Sequence, residues 1–229
     1  MKAIRRLGEL LDGTTFAHRW QISKWKVKYY LGRWGHIPGF EQLIAQPHRK
    51  LLCDAVMRMG PVASVLEIGC GKGPNLYLLN SLLPAATLIG TDPSSAAITR
   101  ARDELKSRGV AAQLEVESAD GLRGRVTASV DIILADAVLF YIPPSNIEHV
   151  LAEMVRVARR GIVLGTWHNA GPYGSGGIFY DEGAWIYDYR GLMAGRRDVS
   201  VDVVRFPQEV WKDARWRRYG AIVILRHVE

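Results

Sequence analysis

Short apolar runs alternate with amphipathic stretches through the middle of the chain, from about residue 62 to residue 167. The runs are apolar or β-branched on both faces, which is typical of strands buried on both sides of a sheet. They are SVLEI (64–68), ATLIGT (86–91), AAQLEVE (111–117), VDIILA (130–135) and GIVLGTW (161–167). This alternation of strand and helix predicts a parallel sheet with helices on both faces.

Helical patterns fill the gaps between these runs. The stretch 93–109 opens with Pro93 and Ser94 and closes with Gly109, which are helix start and stop signals. Right-handed crossovers then predict an α/β fold with a doubly wound, Rossmann-like sheet. After residue 198, VSVDVVRF and YGAIVILRHV read as strands with no apolar helix between them, so we expect an antiparallel hairpin at the C-terminal sheet edge.

A glycine-rich turn follows the first strand in EIGCGKG, with Gly69, Gly71 and Gly73 at alternate positions. Glycine permits a sharp turn and a close approach of a ligand to the backbone, at the edge where such sheets bind ligands. The spacing matches neither the dinucleotide fingerprint nor the P-loop. Glu67 just before the turn would repel a pyrophosphate but could accept a hydrogen bond from an ammonium group.

EIGCGKG resembles motif I, E/D-x-G-x-G-x-G, of the class I S-adenosylmethionine-dependent methyltransferases. Within that family, the sequence resembles the enzymes that methylate small molecules. The resemblance implies S-adenosyl-L-methionine as cofactor, S-adenosyl-L-homocysteine as product, and no metal. It implies that Glu67 and the three glycines form part of the cofactor site.

Further cofactor residues follow from the same resemblance. Asp92, at the end of the second strand, would accept hydrogen bonds from both ribose hydroxyls, and Ala119 and Asp120 would meet the adenine. Each position has an ordinary structural alternative. Asp92 could be an acid favoured by the dipole of the following helix, and Asp120 could belong to a surface turn.

The fourth strand ends in ILADAVLFYIPP, which resembles motif IV and would place Asp136 beside the sulfonium methyl group. The stretch lacks the Asn/Asp-Pro-Pro-Tyr/Phe run of nucleic-acid amino methyltransferases. His168, just past the fifth strand, is the candidate general base, because histidine titrates near neutral pH. It could equally be a loop histidine with no role. Tyr141 and Asp136 are the other candidates for lining the reacting centre.

Two aromatic segments complete the predicted domain organisation. Residues 1–46 form a basic helical segment with an apolar stripe, which we expect to cap the domain or to make a weak membrane-surface contact. Residues 47–229 form the methyltransferase domain, with a 168–198 insert as substrate lid and a helix over about 182–194. Trp185 and Tyr189 should pack in the core. The stripe consists of Phe16, Trp20, Val27, Leu31 and Trp34.

Charge and composition narrow the function classes. The net charge is +7, and residues 1–50 hold ten Lys/Arg against three Asp/Glu, so the rest of the chain is neutral. A nucleic-acid partner is therefore not expected for the main domain. Two cysteines and no signal-peptide pattern favour the cytoplasm. We expect methyl transfer to an oxygen or nitrogen of a small molecule. The alternatives are an RNA or protein methyltransferase that uses the basic N-terminal arm, and a non-catalytic cofactor-binding protein.

Overall fold

A seven-stranded sheet forms the centre of the protein. The structure is a computed structural model that describes residues 39–170, 178–180 and 184–228, with only the backbone described for 178–180. The strand order in the sheet is β3-β2-β1-β4-β5-β9-β8, and β6 and β7 form a separate two-stranded ribbon. The strands are β1 Ser64–Ile68, β2 Thr87–Asp92, β3 Gln113–Val116, β4 Val130–Asp136, β5 Ala158–Trp167, β6 Ile178–Tyr180, β7 Ala184–Ile186, β8 Val199–Arg205 and β9 Gly220–His227.

Helices connect these strands and cover the sheet. The α-helices are α1 Phe40–Ile44, α2 Pro47–Met57, α3 Pro74–Leu82, α4 Ser95–Ser107, α5 Pro144–Val157, α6 Tyr189–Met193 and α7 Ala214–Tyr219. Short 3-10 helices lie at Ala119–Gly124, Leu139–Tyr141 and Gln208–Val210. Within the described ranges, no helix is long and apolar enough to cross a membrane.

The sheet topology confirms the predicted fold class. Strands β1 to β5 pair in parallel, whereas β9 runs antiparallel to β5 and β8 runs antiparallel to β9. From β1 the chain adds β2 and β3 on one side of the sheet, and then adds β4 and β5 on the other side. Such a switch point opens a crevice at the carboxyl ends of the strands, where doubly wound sheets bind ligands.

Two hydrophobic clusters lie on opposite faces of the sheet. One packs α5 and α6 against the strands, and the other packs α2, α3, α4 and Trp216 of α7 against the opposite face. Successive strand residues alternate between the two clusters, since side chains along a strand point to opposite faces. Val65 and Leu66 of β1 show this alternation.

The connection between β8 and β9 is more elaborate than the hairpin that we expected. It contains the helix α7, and Trp216 of that helix is buried. Asp213 caps α7, because its Oδ1 accepts hydrogen bonds from the backbone N–H of Arg215 (2.8 Å) and of Trp216 (3.3 Å). A six-residue helix with one buried residue gives no readable apolar period, so the sequence pattern missed it.

The predicted helix at about 182–194 is wrong, since this stretch forms strand β7 followed by the short helix α6. The prediction that Trp185 and Tyr189 belong to the core is confirmed, because both are buried. The Tyr189 hydroxyl lies 2.9 Å from Thr166 Oγ1. The stretches 171–177 and 181–183, and the N-terminal stripe within 1–38, lie outside the described residues, so the lid and cap stay predictions.

Candidate functional site

The turn between β1 and α3 has a backbone that favours glycine. Gly69, Gly71 and Gly73 have φ angles of +71°, +56° and +83°, in the left-handed region. A Cβ atom at Gly69 would overlap the side chain of Val138, and one at Gly73 would lie 2.9 Å from Leu105 Cδ1. Packing as well as conformation therefore requires glycine at these two positions.

The packing requirement at Gly69 can be measured against a glycine with the same backbone angle. Gly109 has φ of +70° and nothing within 4 Å of a built Cβ. Both alanine variants should lose ~1–2 kcal/mol through left-handed strain. Gly69→Ala should lose ~1–3 kcal/mol more, because the new methyl group overpacks Val138. Urea unfolding followed by circular dichroism measures both, and equal losses would mean that Val138 does not restrict the turn.

Asp92 anchors this turn from the end of β2. Its Oδ2 accepts a hydrogen bond from the Gly71 N–H (3.1 Å), and its Oδ1 accepts one from the Ser94 N–H (2.8 Å). Burial raises the pKa of Asp92, and these two N–H groups oppose the rise. Each carboxylate oxygen has a second lone pair, so the geometry leaves Asp92 able to accept two more hydrogen bonds. Its ribose role stays a prediction.

Ala119 and Asp120 start the 3-10 helix that follows β3, with Ala119 buried and Asp120 half-buried. The Glu117 N–H donates to the carbonyl oxygen of Asp92 (3.2 Å). The two predicted adenine residues therefore lie at the same sheet edge as Asp92. The structure brings them to the expected place, and their contact with adenine stays a prediction.

A buried polar cluster lies beside the glycine turn, on the α2 face of the sheet. Arg49 Nη1 donates to Asp136 Oδ2 (2.7 Å) and to Asn75 Oδ1 (3.0 Å). Asn75 Nδ2 donates to Glu67 Oε1 (2.7 Å), and His48 Nε2 lies 3.2 Å from Asp136 Oδ2. We call these five residues the polar cluster. They come from α2, β1, α3 and β4, so the fold joins four elements at this point.

The two carboxyl groups of the polar cluster have opposite pKa shifts. Burial would raise the pKa of Asp136, but the charge of Arg49 and the interactions with His48 and Asn75 outweigh it and lower the pKa to about 2. Burial raises the pKa of Glu67 to about 8, against the hydrogen bond from Asn75 and the charge of Arg49. At neutral pH, Asp136 is therefore ionised and Glu67 is mostly protonated.

Each of these carboxyl groups has one buried oxygen, Glu67 Oε2 or Asp136 Oδ1, for which the described residues offer no hydrogen-bond partner. An unsatisfied buried polar atom costs ~1–3 kcal/mol, and most native structures avoid it. Two such atoms next to a glycine-lined turn suit a ligand that brings positive charge, which would also favour the ionised form of Glu67. Within the described part of the chain, no group of three or more His, Cys, Asp or Glu side chains is placed to hold a metal ion.

Sequence reasoning identified Glu67 and Asp136 but missed His48, Arg49 and Asn75. His48 and Arg49 follow Pro47 at the start of α2 and belong to no recognised motif. Arg49 and Asp136 are 87 positions apart, so only the folded chain pairs them. The available signal was the placement of a cation and an imidazole at the start of a helix just before the first strand.

His168 does not join the polar cluster. It follows Trp167 and lies on the opposite face of the sheet, where its Nδ1 accepts a hydrogen bond from the Tyr189 N–H (3.3 Å). Only 3% of its surface is exposed, and burial followed by the charge of Arg205 lowers its pKa. When Nδ1 accepts, the neutral ring carries its proton on Nε2 and has no free lone pair. The role of His168 as a base stays a prediction.

Aromatic rings cover the polar cluster at the carboxyl edge of the sheet. Trp211, in the connection between β8 and β9, stacks on His48 at 4.2 Å between ring centroids and on Trp216 at 4.2 Å. Phe140 stacks on Trp167 at 4.4 Å. Tyr141, the predicted lining residue, is half-buried and packs on Phe140 at 4.5 Å on this same face. The connection at 206–219 thus contributes to the site, which the sequence analysis did not foresee.

Comparisons with known proteins agree with this geometry. Residues 65–161 match the family model described as "Methyltransferase domain". Trans-aconitate 2-methyltransferase from Azoarcus sp. (strain BH72) is 34% identical over 102 residues, which is 44% of this chain and 37% of that protein. The chain covers 20 to 40% of the length of the curated relatives that it matches.

Solved structures show the same fold over most of the chain. A 1,6-didemethyltoxoflavin-N1-methyltransferase from Burkholderia thailandensis superposes with a TM-score of 0.67 at 15% identity, covering 91% of this chain and 87% of that one. The magnesium protoporphyrin IX methyltransferase of Synechocystis PCC 6803 gives a TM-score of 0.65 at 13% identity, covering 91% and 100%. Both structures contain S-adenosylhomocysteine. Residues 65–161 therefore match a methyltransferase domain, and the chain has the fold of class I S-adenosylmethionine-dependent methyltransferases.

Proposed function

We propose that the protein transfers a methyl group from S-adenosylmethionine to an oxygen or nitrogen of a small-molecule acceptor. The observation that carries the proposal is the pair of unpartnered buried oxygens, Glu67 Oε2 and Asp136 Oδ1, beside the glycine-lined turn. A cofactor with an ammonium and a sulfonium group, and no phosphate, suits carboxyl groups at this place.

The residues present fit this cofactor. Gly69, Gly71 and Gly73 would let it approach the backbone, Asp92 would hold the ribose, and Glu67 and Asp136 would face its cationic end. When bound, the cofactor supplies a methyl group that its positive sulfur already activates for displacement. The task of the protein is then to align the acceptor, exclude water and take up a proton where the acceptor carries one.

Similar proteins support a small acceptor. They include enzymes named for trans-aconitate, 1,6-didemethyltoxoflavin and magnesium protoporphyrin IX. The aromatic rings of Tyr141 and Trp211 at the carboxyl edge would suit a planar organic molecule. The cytoplasm stays the proposed location, because both cysteines, Cys53 and Cys70, are free thiols. The roles predicted for residues 1–38, including the membrane contact and the nucleic-acid alternative, stay predictions.

Calorimetric titration with S-adenosylmethionine and S-adenosylhomocysteine tests the proposal at its first step. We expect dissociation constants of ~10 μM or tighter for the unmodified protein. Asp92→Ala should weaken binding far more than Asp120→Ala, because it removes two hydrogen bonds to a charged acceptor, each worth ~1.5–3 kcal/mol.

Circular dichroism and urea unfolding serve as controls, since Asp92 also accepts hydrogen bonds from Gly71 and Ser94. Equal small effects from the two variants would show that Asp92 does not hold the ribose. Absence of binding by either compound to the unmodified protein would remove the basis for the proposed activity.

A further inference from the structure

The polar cluster contains an imidazole–carboxylate pair that the family motifs do not include. His48 Nε2 lies 3.2 Å from Asp136 Oδ2, and each side chain is 4% exposed. Because Asp136 is ionised at neutral pH, its oxygen accepts the hydrogen bond and Nε2 of His48 donates it. The neutral ring then has its lone pair on Nδ1. Among the described residues, nothing hydrogen-bonds to Nδ1.

Packing fixes the orientation of this ring. Trp211 stacks on the His48 ring with an interplanar angle of 28°, and Phe206 meets it edge-on at 6.4 Å. Arg49 of the same helix offsets the charge of Asp136 through its 2.7 Å contact. Contacts with Trp211, Phe206 and Asp136 therefore hold the His48 ring in one orientation, in which Nδ1 carries the lone pair.

The charged surroundings of His48 come from three elements. Asp136 of β4 contacts the ring directly, and Arg49 lies next to it on α2. Glu67 of β1 lies one step further, joined to the pair through Asn75. The connection at 206–219 contributes only aromatic rings to the described contacts of His48.

The pair lies beside the predicted cofactor turn. Asp136 is the last residue of β4, and Val138, two residues later, packs on Gly69. Trp211, whose ring stacks on His48, has a buried Nε1 with no hydrogen-bond partner in the described part of the chain. An acceptor oxygen that gives its proton to His48 Nδ1 could accept a hydrogen bond from Trp211 Nε1 at the same time.

We propose that the acceptor is a hydroxyl compound and that His48 Nδ1 takes its proton, with Asp136 as the positioning residue. The proposal rests on the methyl-transfer function proposed above and names its substrate class. It also explains why the fold keeps an ionised carboxylate and an imidazole together in a buried place. Such burial costs stability, and groups of this kind are found mainly at functional sites.

The step balances in atoms and electrons. The acceptor oxygen forms a bond to the methyl carbon while the carbon–sulfur bond breaks, and that electron pair stays on sulfur. The O–H pair stays on the oxygen and the proton moves to Nδ1 of His48. Asp136 stabilises the imidazolium that results, which later releases the proton to water. An amine acceptor would not need this base.

Nuclear magnetic resonance of the histidine rings tests the geometry without any acceptor. In ¹⁵N-labelled protein with S-adenosylhomocysteine, at a pH where the His48 ring is neutral, long-range ¹H–¹⁵N spectra report which nitrogen carries the proton. His48→Gln assigns the signals by difference. We expect the Nε2–H tautomer for His48 in the unmodified protein, and a mixture of tautomers in Asp136→Asn. A proton on Nδ1 in the unmodified protein would overturn the proposal, because no lone pair would then face the acceptor.

Activity with a matched pair of probes tests the chemistry. The probes are 6-hydroxyquinoline and 6-aminoquinoline, with methylated product measured by mass spectrometry. His48→Gln should lower kcat for the hydroxyl probe by ~10²–10⁴ and should lose the rising limb of the pH–rate profile. The matched control is His149→Gln, since His149 lies on α5 and contacts Arg123, outside the polar cluster. It should behave like the unmodified protein.

The outcomes separate this proposal from the proposed function. Lack of cofactor binding by the unmodified protein defeats the proposed function. The tautomer of His48 can still be measured in that case, and it tests the geometry of the His48–Asp136 pair. Methylation of the amine probe alone, full activity of His48→Gln, or loss of the pH limb in His168→Gln instead would defeat the His48 proposal. If the cofactor binds and neither probe is methylated, the tautomer result decides.

Discussion

Arg49→Met should destabilise the protein by ~3–5 kcal/mol at pH 7, the largest effect that we expect from a single substitution. The guanidinium of Arg49 contacts Asp136 Oδ2 at 2.7 Å, and the two side chains are only 12% and 4% exposed. Removing one partner of a buried ion pair leaves the other charge without compensation, which costs far more than the pair contributes. Methionine keeps an unbranched apolar side chain and lacks the charge of the guanidinium.

Urea unfolding at several pH values measures this effect. Lys50→Met is the matched control, because Lys50 is the next residue and its pair with Asp54 is 78% and 32% exposed. Surface pairs of this kind contribute ~0–1 kcal/mol, so the control should lose little. The loss in Arg49→Met should shrink as the pH falls, since Asp136 can then be neutral. A loss like that of the control, or one independent of pH, would mean that Arg49 does not compensate Asp136.

The sequence carried enough information to predict the sheet and the ligand edge. Five short apolar runs separated by helical patterns specify parallel strands, and the glycine turn after the first run marks where the chain must bend sharply. These are local signals, because period and turn chemistry are written into neighbouring residues. The parallel pairing of β1 to β5 agrees with the alternation of strand and helix along the chain.

The residues of the candidate site come from positions far apart in the sequence, so no local sequence pattern identifies all of them. Glu67 and Asp136 were found through the resemblance of their segments to motifs I and IV, but their partners come from α2 and α3. The register of β4 against β5 pairs Asp136 with Gly165, so His168, three residues later, falls on the other face. A one-residue change of register would have reversed this result. Sequence alone therefore could not tell which histidine lies beside Asp136.

Burial of Glu67 should make the stability of the protein depend on pH. The pKa of Glu67 in the folded protein is about 8, raised from 4.5 by burial. Between these two values the folded chain holds a proton that the unfolded chain has released. The stabilising contribution is therefore complete below about pH 4.5, falls by about 1.4 kcal/mol per pH unit, and is lost as the pH rises through about 8. Asp136, whose pKa is lowered to about 2, acts only at acid pH, where stability is lost as the pH falls from about 4 to about 2.

Glu67→Gln removes this titration and keeps the shape of the side chain and an oxygen that can accept the Asn75 hydrogen bond. The variant should lie within ~1 kcal/mol of the unmodified protein at pH 5 and should be more stable by ~3–5 kcal/mol at pH 8 and above, because only the glutamate must then carry a buried charge. Urea unfolding from pH 5 to pH 9 measures the difference, with Glu148→Gln on the exposed face of α5 as control. Histidine and cysteine titrations cancel between the two proteins. A difference that does not change with pH would show that Glu67 ionises in the folded chain as readily as in the unfolded one, and that burial does not raise its pKa.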